Sequence, residues 1–153
     1  MRKPSIVVVD YHKGNLSSVV RGLARAGADA FASDDPMQIL NADGIVLPGV
    51  GSFYDAIAYM AESGQATAVA RAVAGGSGTP FLGICLGLQL LFERGYEYGE
   101  HEGVGLIGGS VRPISDVIPE GLKIPHIGWN ALDIKRESPI FKYIKNGDHV
   151  YFC

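Results

Sequence analysis

The chain has 153 residues, of which 47% are hydrophobic and 19% are charged, and its formal net charge is −3. This length favours a single domain with a core of its own. The slightly acidic balance, without a basic run, argues against nucleic acid as the main partner. The longest apolar stretch, residues 81–92, is interrupted by glycine and glutamine and is shorter than the ~20 residues that a membrane-spanning helix requires.

The first 95 residues alternate predicted strands with predicted helices, a pattern typical of a parallel sheet with helices on both faces. The predicted strands are 6–9, 30–32, 45–47 and 81–84. The predicted helices are 16–24, a segment beginning near Pro36, 53–74 with a break near Gly64, and 86–94, and a glycine-rich turn is predicted at 75–78. The sequence therefore predicts an α/β fold.

After residue 103 the pattern changes to short strands between turns rich in proline and glycine. These predicted strands are 106–107, 110–113, 123–124, 131–134 and 150–152. The chain ends within the last of them, whereas natural termini are usually exposed and loosely held. We therefore expect a single domain over residues 1–153 that is incomplete at its C-terminus.

Cys85 lies between a predicted strand and a predicted helix, with Gly83 and Gly87 two residues away on either side. This is the pattern of a nucleophile elbow, with cysteine in the place of serine. Glycine permits the sharp turn. The positive end of the following helix favours the thiolate, and the backbone N–H of Leu86 can hold a developing oxyanion. The alternative is a buried structural cysteine between two packing glycines.

A second glycine loop, at Gly49, Val50 and Gly51, follows the third predicted strand. Loops that follow parallel strands meet at the carboxyl edge of the sheet, where ligands bind. The N–H groups of this loop, together with that of Leu86, could form an oxyanion hole. The alternative is an ordinary turn from strand to helix.

No catalytic base can be assigned from spacing alone, although a thiol nucleophile usually needs a histidine. The four histidines are scattered, and a loop or structural role explains each better than a role as the base: His12, His101, His126 and His149. No metal-ligand spacing is present, and the loop at 11–15 lacks a nucleotide-binding pattern. Two separate cysteines, Cys85 and Cys153, and no secretory segment indicate a reducing, cytoplasmic location.

The segment Gly-Ile-Cys-Leu-Gly-Leu-Gln at 83–89 resembles the nucleophile motif of class I (triad-type) glutamine amidotransferases. Four further segments resemble the glutaminase subunits of imidazole glycerol phosphate synthase: 10–15, 47–53, 125–130 and 150–153. The resemblance runs along the whole chain. It implies a flavodoxin-like open parallel sheet, followed by a set of short mixed strands.

The resemblance also implies a reaction and a partner. Cys85 would attack the side-chain amide of glutamine, form a glutamyl thioester and release ammonia. The ammonia would pass to a (β/α)8-barrel synthase subunit in a heterodimer of histidine biosynthesis, without a cofactor or a metal. By resemblance, Gly49, Val50, Gly51, Leu86, Gly87 and Gln89 serve the oxyanion and the glutamine pocket, and Asn15, His126, Gly128 and Trp129 serve the partner interface.

One feature of the family is missing from this sequence. The catalytic His and Glu of the family belong to a Phe-His-Pro-Glu-like motif, which does not occur here. We therefore expect residues 1–153 alone to be inactive or nearly so. Two alternatives remain open: a non-catalytic module that docks on the synthase, and an unrelated cysteine-elbow hydrolase or redox sensor that is indifferent to glutamine.

Overall fold

The computed structural model describes residues 2–75 and 78–153, which fall into two compact units, Met1–Pro113 and Ile114–Cys153. The first unit contains β1 (Ser5–Val9), α1 (Leu16–Arg25), β2 (Asp29–Ser33), α2 (Pro36–Asn41), β3 (Gly44–Leu47), α3 (Phe53–Glu62), α4 (Gln65–Ala74), β4 (Phe81–Gly83), α5 (Leu86–Gln89), β5 (Phe92–Gly95), β6 (His101–Glu102) and β7 (Ile107–Val111). The second unit contains β8 (Gly128–Ala131), β9 (His149–Phe152) and two 3-10 turns at Ile114–Asp116 and Pro139–Phe141.

The main sheet of the first unit has four strands in the order β2-β1-β3-β4, and every pair is parallel. This is the flavodoxin-like order of a doubly wound α/β fold. Strand β1 lies in the middle, with Val7 opposite Phe31 on one side and Ile45 on the other. Its valines are fully buried, as expected for a parallel strand covered on both faces. The predicted fold class is therefore confirmed.

Helices α1 and α2 begin at residues whose side chains cap them. Asn15 accepts a hydrogen bond from the Ser18 amide at the start of α1, and Asp35 caps α2 with Pro36 in its first turn. The predicted break between α3 and α4 falls at Gly64, whose φ is +78°. That left-handed conformation costs glycine little.

The core packs α2, α3 and α4 against the main sheet. It contains apolar side chains from the strands and from one face of each helix: Val7, Val9, Ile39, Ile45, Leu47, Phe53, Ala56, Met60, Ala68 and Val69. Gln65 is the buried polar residue of this core, and its Nε2 donates to the carbonyl oxygens of Asp10 and Asp34. This amide joins the loops that follow β1 and β2.

The predicted helix over 86–94 is wrong beyond Gln89. Helix α5 has a single turn, and residues 92–95 form β5, which pairs with β7 in parallel and with β6 in antiparallel orientation. Apolar runs as short as 90–92 fit either a helix or a strand. The long-range pairing of Phe92 with Ile107 decides for the strand.

Four of the predicted short strands also differ from the structure. Segments 106–107 and 110–113 were predicted separately but contribute to one strand, β7. Residues 123–124 do not form a strand, and the strand predicted at 131–134 is shifted to Gly128–Ala131. These segments lie among turns, where pairing partners rather than local pattern set the boundaries. Residues 76 and 77 of the predicted turn lie outside the described residues.

The second unit contains a two-stranded antiparallel sheet. Strands β8 and β9 pair Trp129 with Tyr151, whose rings meet edge to face with their centroids 5.5 Å apart. Both side chains are exposed, and that of Trp129 is 68% accessible. Across residues 2–75 and 78–153, no helix is long and apolar enough to cross a membrane.

Candidate functional site

Cys85 occupies a strained turn between β4 and α5. Its φ is +53° and its ψ is −117°, a backbone conformation that residues with a side chain rarely adopt. The residue is exposed, and its thiol is not in a disulfide. A short strand, a strained turn and a helix thus present an accessible sulfur, as the sequence predicts for a nucleophile elbow.

The two glycines of the motif are required by close packing. A Cβ atom on Gly83 would lie 2.6 Å from the Leu88 Cα, and a Cβ on Gly87 would overlap the carbonyl oxygen of Leu47. That carbonyl already accepts a hydrogen bond of 3.0 Å from the Ile84 amide. The elbow is therefore pressed against the end of β3, from which the other predicted glycine loop continues.

The glycine loop, defined as Gly49, Val50 and Gly51, lies beside the elbow. A Cβ on Gly49 would lie 3.4 Å from the Cβ of Leu86, so the two predicted oxyanion segments are neighbours. Among the described residues, the backbone N–H groups of the loop and of Leu86 donate to no protein acceptor. These amides are donors that a substrate oxygen can use.

Two side chains that the sequence did not single out hold the loop at its ends. The Tyr11 hydroxyl donates to the Pro48 carbonyl at 2.6 Å, and the Glu97 carboxylate accepts from the Phe53 amide at 2.7 Å. Tyr11 is 1% exposed. Burial, followed by the negative charge at Cys85, raises the pKa of the Tyr11 hydroxyl, so it remains a donor. No local sequence signal predicts either contact, because each joins segments that are far apart along the chain.

The remaining predicted site residues fall in several places. Gln89 is half-buried at the end of α5, and Asn15 uses its side chain to cap α1. His126, Gly128 and Trp129 belong to the second unit, where the His126 ring lies 5.8 Å from that of Phe152. Only the glycine loop, Leu86 and Gly87 are shown beside Cys85.

Neither histidine of the first unit is hydrogen-bonded to the Cys85 thiol. His12, in a left-handed conformation with a φ of +63°, is hydrogen-bonded through Nε2 to the Tyr59 hydroxyl at 2.8 Å. His101 packs against the Tyr54 ring at 4.6 Å, and its buried Nε2 has no hydrogen-bond partner in the described part of the chain. A base for Cys85 is therefore not assembled from these two side chains.

The described residues contain no group of three or more His, Cys, Asp or Glu side chains that could hold a metal ion. The site is built instead from one sulfur, free backbone amides and glycines that permit close approach. This combination suits nucleophilic attack on a carbonyl carbon, with the developing negative charge held by N–H donors.

Comparison with known families agrees with this chemistry. The glutamine amidotransferase class-I family matches residues 7–152, which include the elbow and the glycine loop. The chain therefore belongs to the class-I glutamine amidotransferases.

Within that family the chain groups with the HisH subunits of imidazole glycerol phosphate synthase. It is 46% identical over 147 residues to the HisH subunit of Caldanaerobacter subterraneus subsp. tengcongensis, covering 96% of this chain and 70% of that protein. It is 48% identical to the HisH subunit of Aquifex aeolicus, covering 95% of this chain and 68% of that protein. The chain thus spans about 70% of the length of these relatives.

Solved structures support the fold. A crystal structure of a glutamine amidotransferase superposes with a TM-score of 0.55 at 22% identity and covers 65% of this chain and 52% of that chain. A crystal structure described as a peptidase E protein from Listeria monocytogenes gives a TM-score of 0.57 at 11% identity and covers 68% of this chain and 63% of that chain. At these identities the likeness concerns the fold alone.

Proposed function

We propose that Cys85 is the nucleophile of a glutaminase and that the glycine loop and Leu86 supply its oxyanion hole. The observation that carries the proposal is the position of an exposed sulfur on a strained elbow, beside a loop whose backbone amides have no protein acceptor. Gly87 and the half-buried Gln89 follow the nucleophile on α5 and line the glutamine pocket in this proposal.

The reaction needs two steps on this site. The Cys85 thiolate attacks the side-chain amide carbon of glutamine, and the carbonyl oxygen becomes an oxyanion held by the free N–H groups. The tetrahedral intermediate expels the amide nitrogen, which takes up a proton and leaves as ammonia, and a glutamyl thioester remains. Water then cleaves the thioester, giving glutamate and restoring the thiol. Both steps require a proton carrier.

The ammonia is used by a partner subunit in this proposal, because the relatives are named as subunits of imidazole glycerol phosphate synthase. Asn15 in the first unit, and His126, Gly128 and Trp129 in the second, contact a (β/α)8-barrel synthase subunit. The exposed Trp129 and Tyr151 rings are the kind of aromatic anchor that protein interfaces favour. The two unpaired cysteines fit a reducing cytoplasm.

We further propose that residues 1–153 alone do not turn over glutamine at an appreciable rate. The support is that His12 is hydrogen-bonded to Tyr59, that His101 packs against Tyr54, and that neither is hydrogen-bonded to Cys85. General acid–base catalysis typically contributes about 10²–10⁴-fold to such reactions. The chain would then still dock on the synthase without supplying ammonia to it.

The test is ammonia release from glutamine, measured with the synthase subunit and its ligand present. Residues 1–153, the Cys85→Ala variant and the HisH subunit of Aquifex aeolicus are compared. We expect activity from the relative and a rate about 10²–10⁴-fold lower from this chain. A comparable rate from this chain, lost in Cys85→Ala, would show that a base is present. Turnover that survives Cys85→Ala would refute the assignment of the nucleophile.

A further inference from the structure

Tyr11 is the largest of the fully buried side chains, yet it carries a polar hydroxyl. The residue lies two positions after the end of β1 and has no place in the glutaminase site as proposed above. Its hydroxyl donates a 2.6 Å hydrogen bond to the Pro48 carbonyl, 37 residues further along the chain. A bond this short across two strand ends ties the loop after β1 to the glycine loop after β3.

Gly49 is enclosed by Tyr11 and its neighbours. A Cβ on Gly49 would overlap the Tyr11 hydroxyl oxygen and lie 2.8 Å from its Cζ. On the same loop as Tyr11, a Cβ on Gly14 would lie 3.3 Å from the Gly49 Cα, and Leu86 is adjacent to Gly49 as well. The Pro48–Gly49 peptide is therefore confined by contacts as well as by the hydrogen bond.

Because the peptide group is planar, confining the Pro48 carbonyl also sets the direction of the Gly49 N–H. The carbonyl of Pro48 and the N–H of Gly49 belong to one planar trans peptide, in which they point in opposite directions. Fixing the carbonyl through Tyr11 therefore fixes the N–H of Gly49. That N–H has no protein acceptor among the described residues, so it is held in place without being occupied.

We propose that Tyr11 is a positioning residue for the glutaminase reaction, whose hydroxyl keeps the Gly49 N–H aimed for the oxyanion. This inference rests on the proposed function, because it assigns Tyr11 to the same oxyanion hole. Tyr11 does not touch the substrate; it acts through the Pro48–Gly49 peptide. A tyrosine that is buried and close enough to Cys85 to feel its charge keeps its proton, and hence its hydrogen bond, while the sulfur is a thiolate.

The experiment measures how fast Cys85 reacts with different electrophiles in a Cys153→Ser background, which removes the other thiol. The first probe is the L-chloromethyl ketone analogue of glutamine, whose carbonyl becomes an oxyanion when sulfur attacks it. The ratio of its rate to that of the D-enantiomer shows whether the site recognises the configuration of L-glutamine. Methyl methanethiosulfonate has no carbonyl, so its rate reports the reactivity of the Cys85 sulfur without an oxyanion. The variants are Tyr11→Phe and, as a matched control, Tyr59→Phe, which loses a hydroxyl bonded to His12.

Tyr11→Phe is expected to slow the L-ketone reaction about tenfold or more while leaving the thiosulfonate rate unchanged. Tyr59→Phe is expected to change neither. Equal slowing of both reagents in Tyr11→Phe would mean a general structural defect and would overturn the inference. An L-ketone rate that stays the same in Tyr11→Phe would overturn it as well. If the parent chain does not prefer the L-ketone over the D-ketone, the proposed glutaminase function itself fails, and this inference fails with it.

Discussion

Replacing Gly87 by alanine should destabilise the fold through one backbone collision. The new Cβ would overlap the Leu47 carbonyl oxygen and lie 2.5 Å from its carbon. Neither atom belongs to a flexible side chain, so β3 and the elbow must separate. That movement also strains the hydrogen bond from the Ile84 amide to the same carbonyl.

The magnitude follows from three contributions. Overpacking costs about 1–3 kcal/mol, and loss of the hydrogen bond adds about 0.5–1.5 kcal/mol. Alanine regains about 1 kcal/mol of helix propensity. The matched control is Gly22→Ala in α1, where a Cβ meets no atom within 4 Å. This variant therefore gains helix propensity without a collision. The two variants should therefore differ by about 1.5–4.5 kcal/mol in the free energy of unfolding.

Thermal unfolding followed by the helical circular dichroism signal measures this difference. For a chain of this size, about 2–4 °C of melting temperature corresponds to 1 kcal/mol. Gly87→Ala should therefore melt about 3–18 °C below Gly22→Ala. If Gly87→Ala melts at or above the control, the contact between the elbow and β3 is not as close as described, and the reasoning is refuted.

Two further predictions concern carboxylates. Asp43 accepts a hydrogen bond from the Ser5 amide and pairs with Arg2, which together hold the pKa of its carboxyl below the ordinary 3.8. Its stabilising effect is therefore present above the unfolded pKa and is lost as the pH falls through the lowered one. Asp43→Asn should reduce stability to urea at about pH 7 and make little difference at about pH 2, and a loss that is the same at both pH values would contradict this. Asp35→Ala removes the cap of α2 and should cost about 1 kcal/mol. Asp34→Ala should change the urea midpoint little, because the Asp34 carboxylate makes no hydrogen bond within residues 2–75 and 78–153; equal losses in the two variants would count against the capping role.

The alternating part of the fold was predictable because its signals are local. The β-branched run of β1, the helix start near Pro36 and the break at Gly64 each act within a few residues, and the structure agrees with them. The helix predicted to Arg94 failed because the fate of Phe92 depends on pairing with a strand 15 residues away. Such pairing leaves no periodic trace in a segment of four residues.

The candidate site likewise has features that local sequence predicts and features that depend on long-range contacts. The Cys85 elbow was predictable because the flanking glycines are a local requirement, and the collisions at Gly83 and Gly87 give the physical reason. The contact of Tyr11 with Pro48 was not predictable, because it joins the ends of two strands that become neighbours only in the folded sheet. The contact of Glu97 with Phe53 was missed because it joins the segment after β5 to the first residue of α3, 44 positions away in the chain.

The backbone at Cys85 places stability and reactivity in opposition. A positive φ is unfavourable for a residue that carries a Cβ, so glycine would relieve strain of the order of 1–3 kcal/mol at this position. Selection of this chain for heat resistance alone would thus favour loss of the one thiol on the elbow. Consensus or computational stabilisation schemes should therefore hold position 85 fixed, because the most stable sequence for this turn is one without a nucleophile.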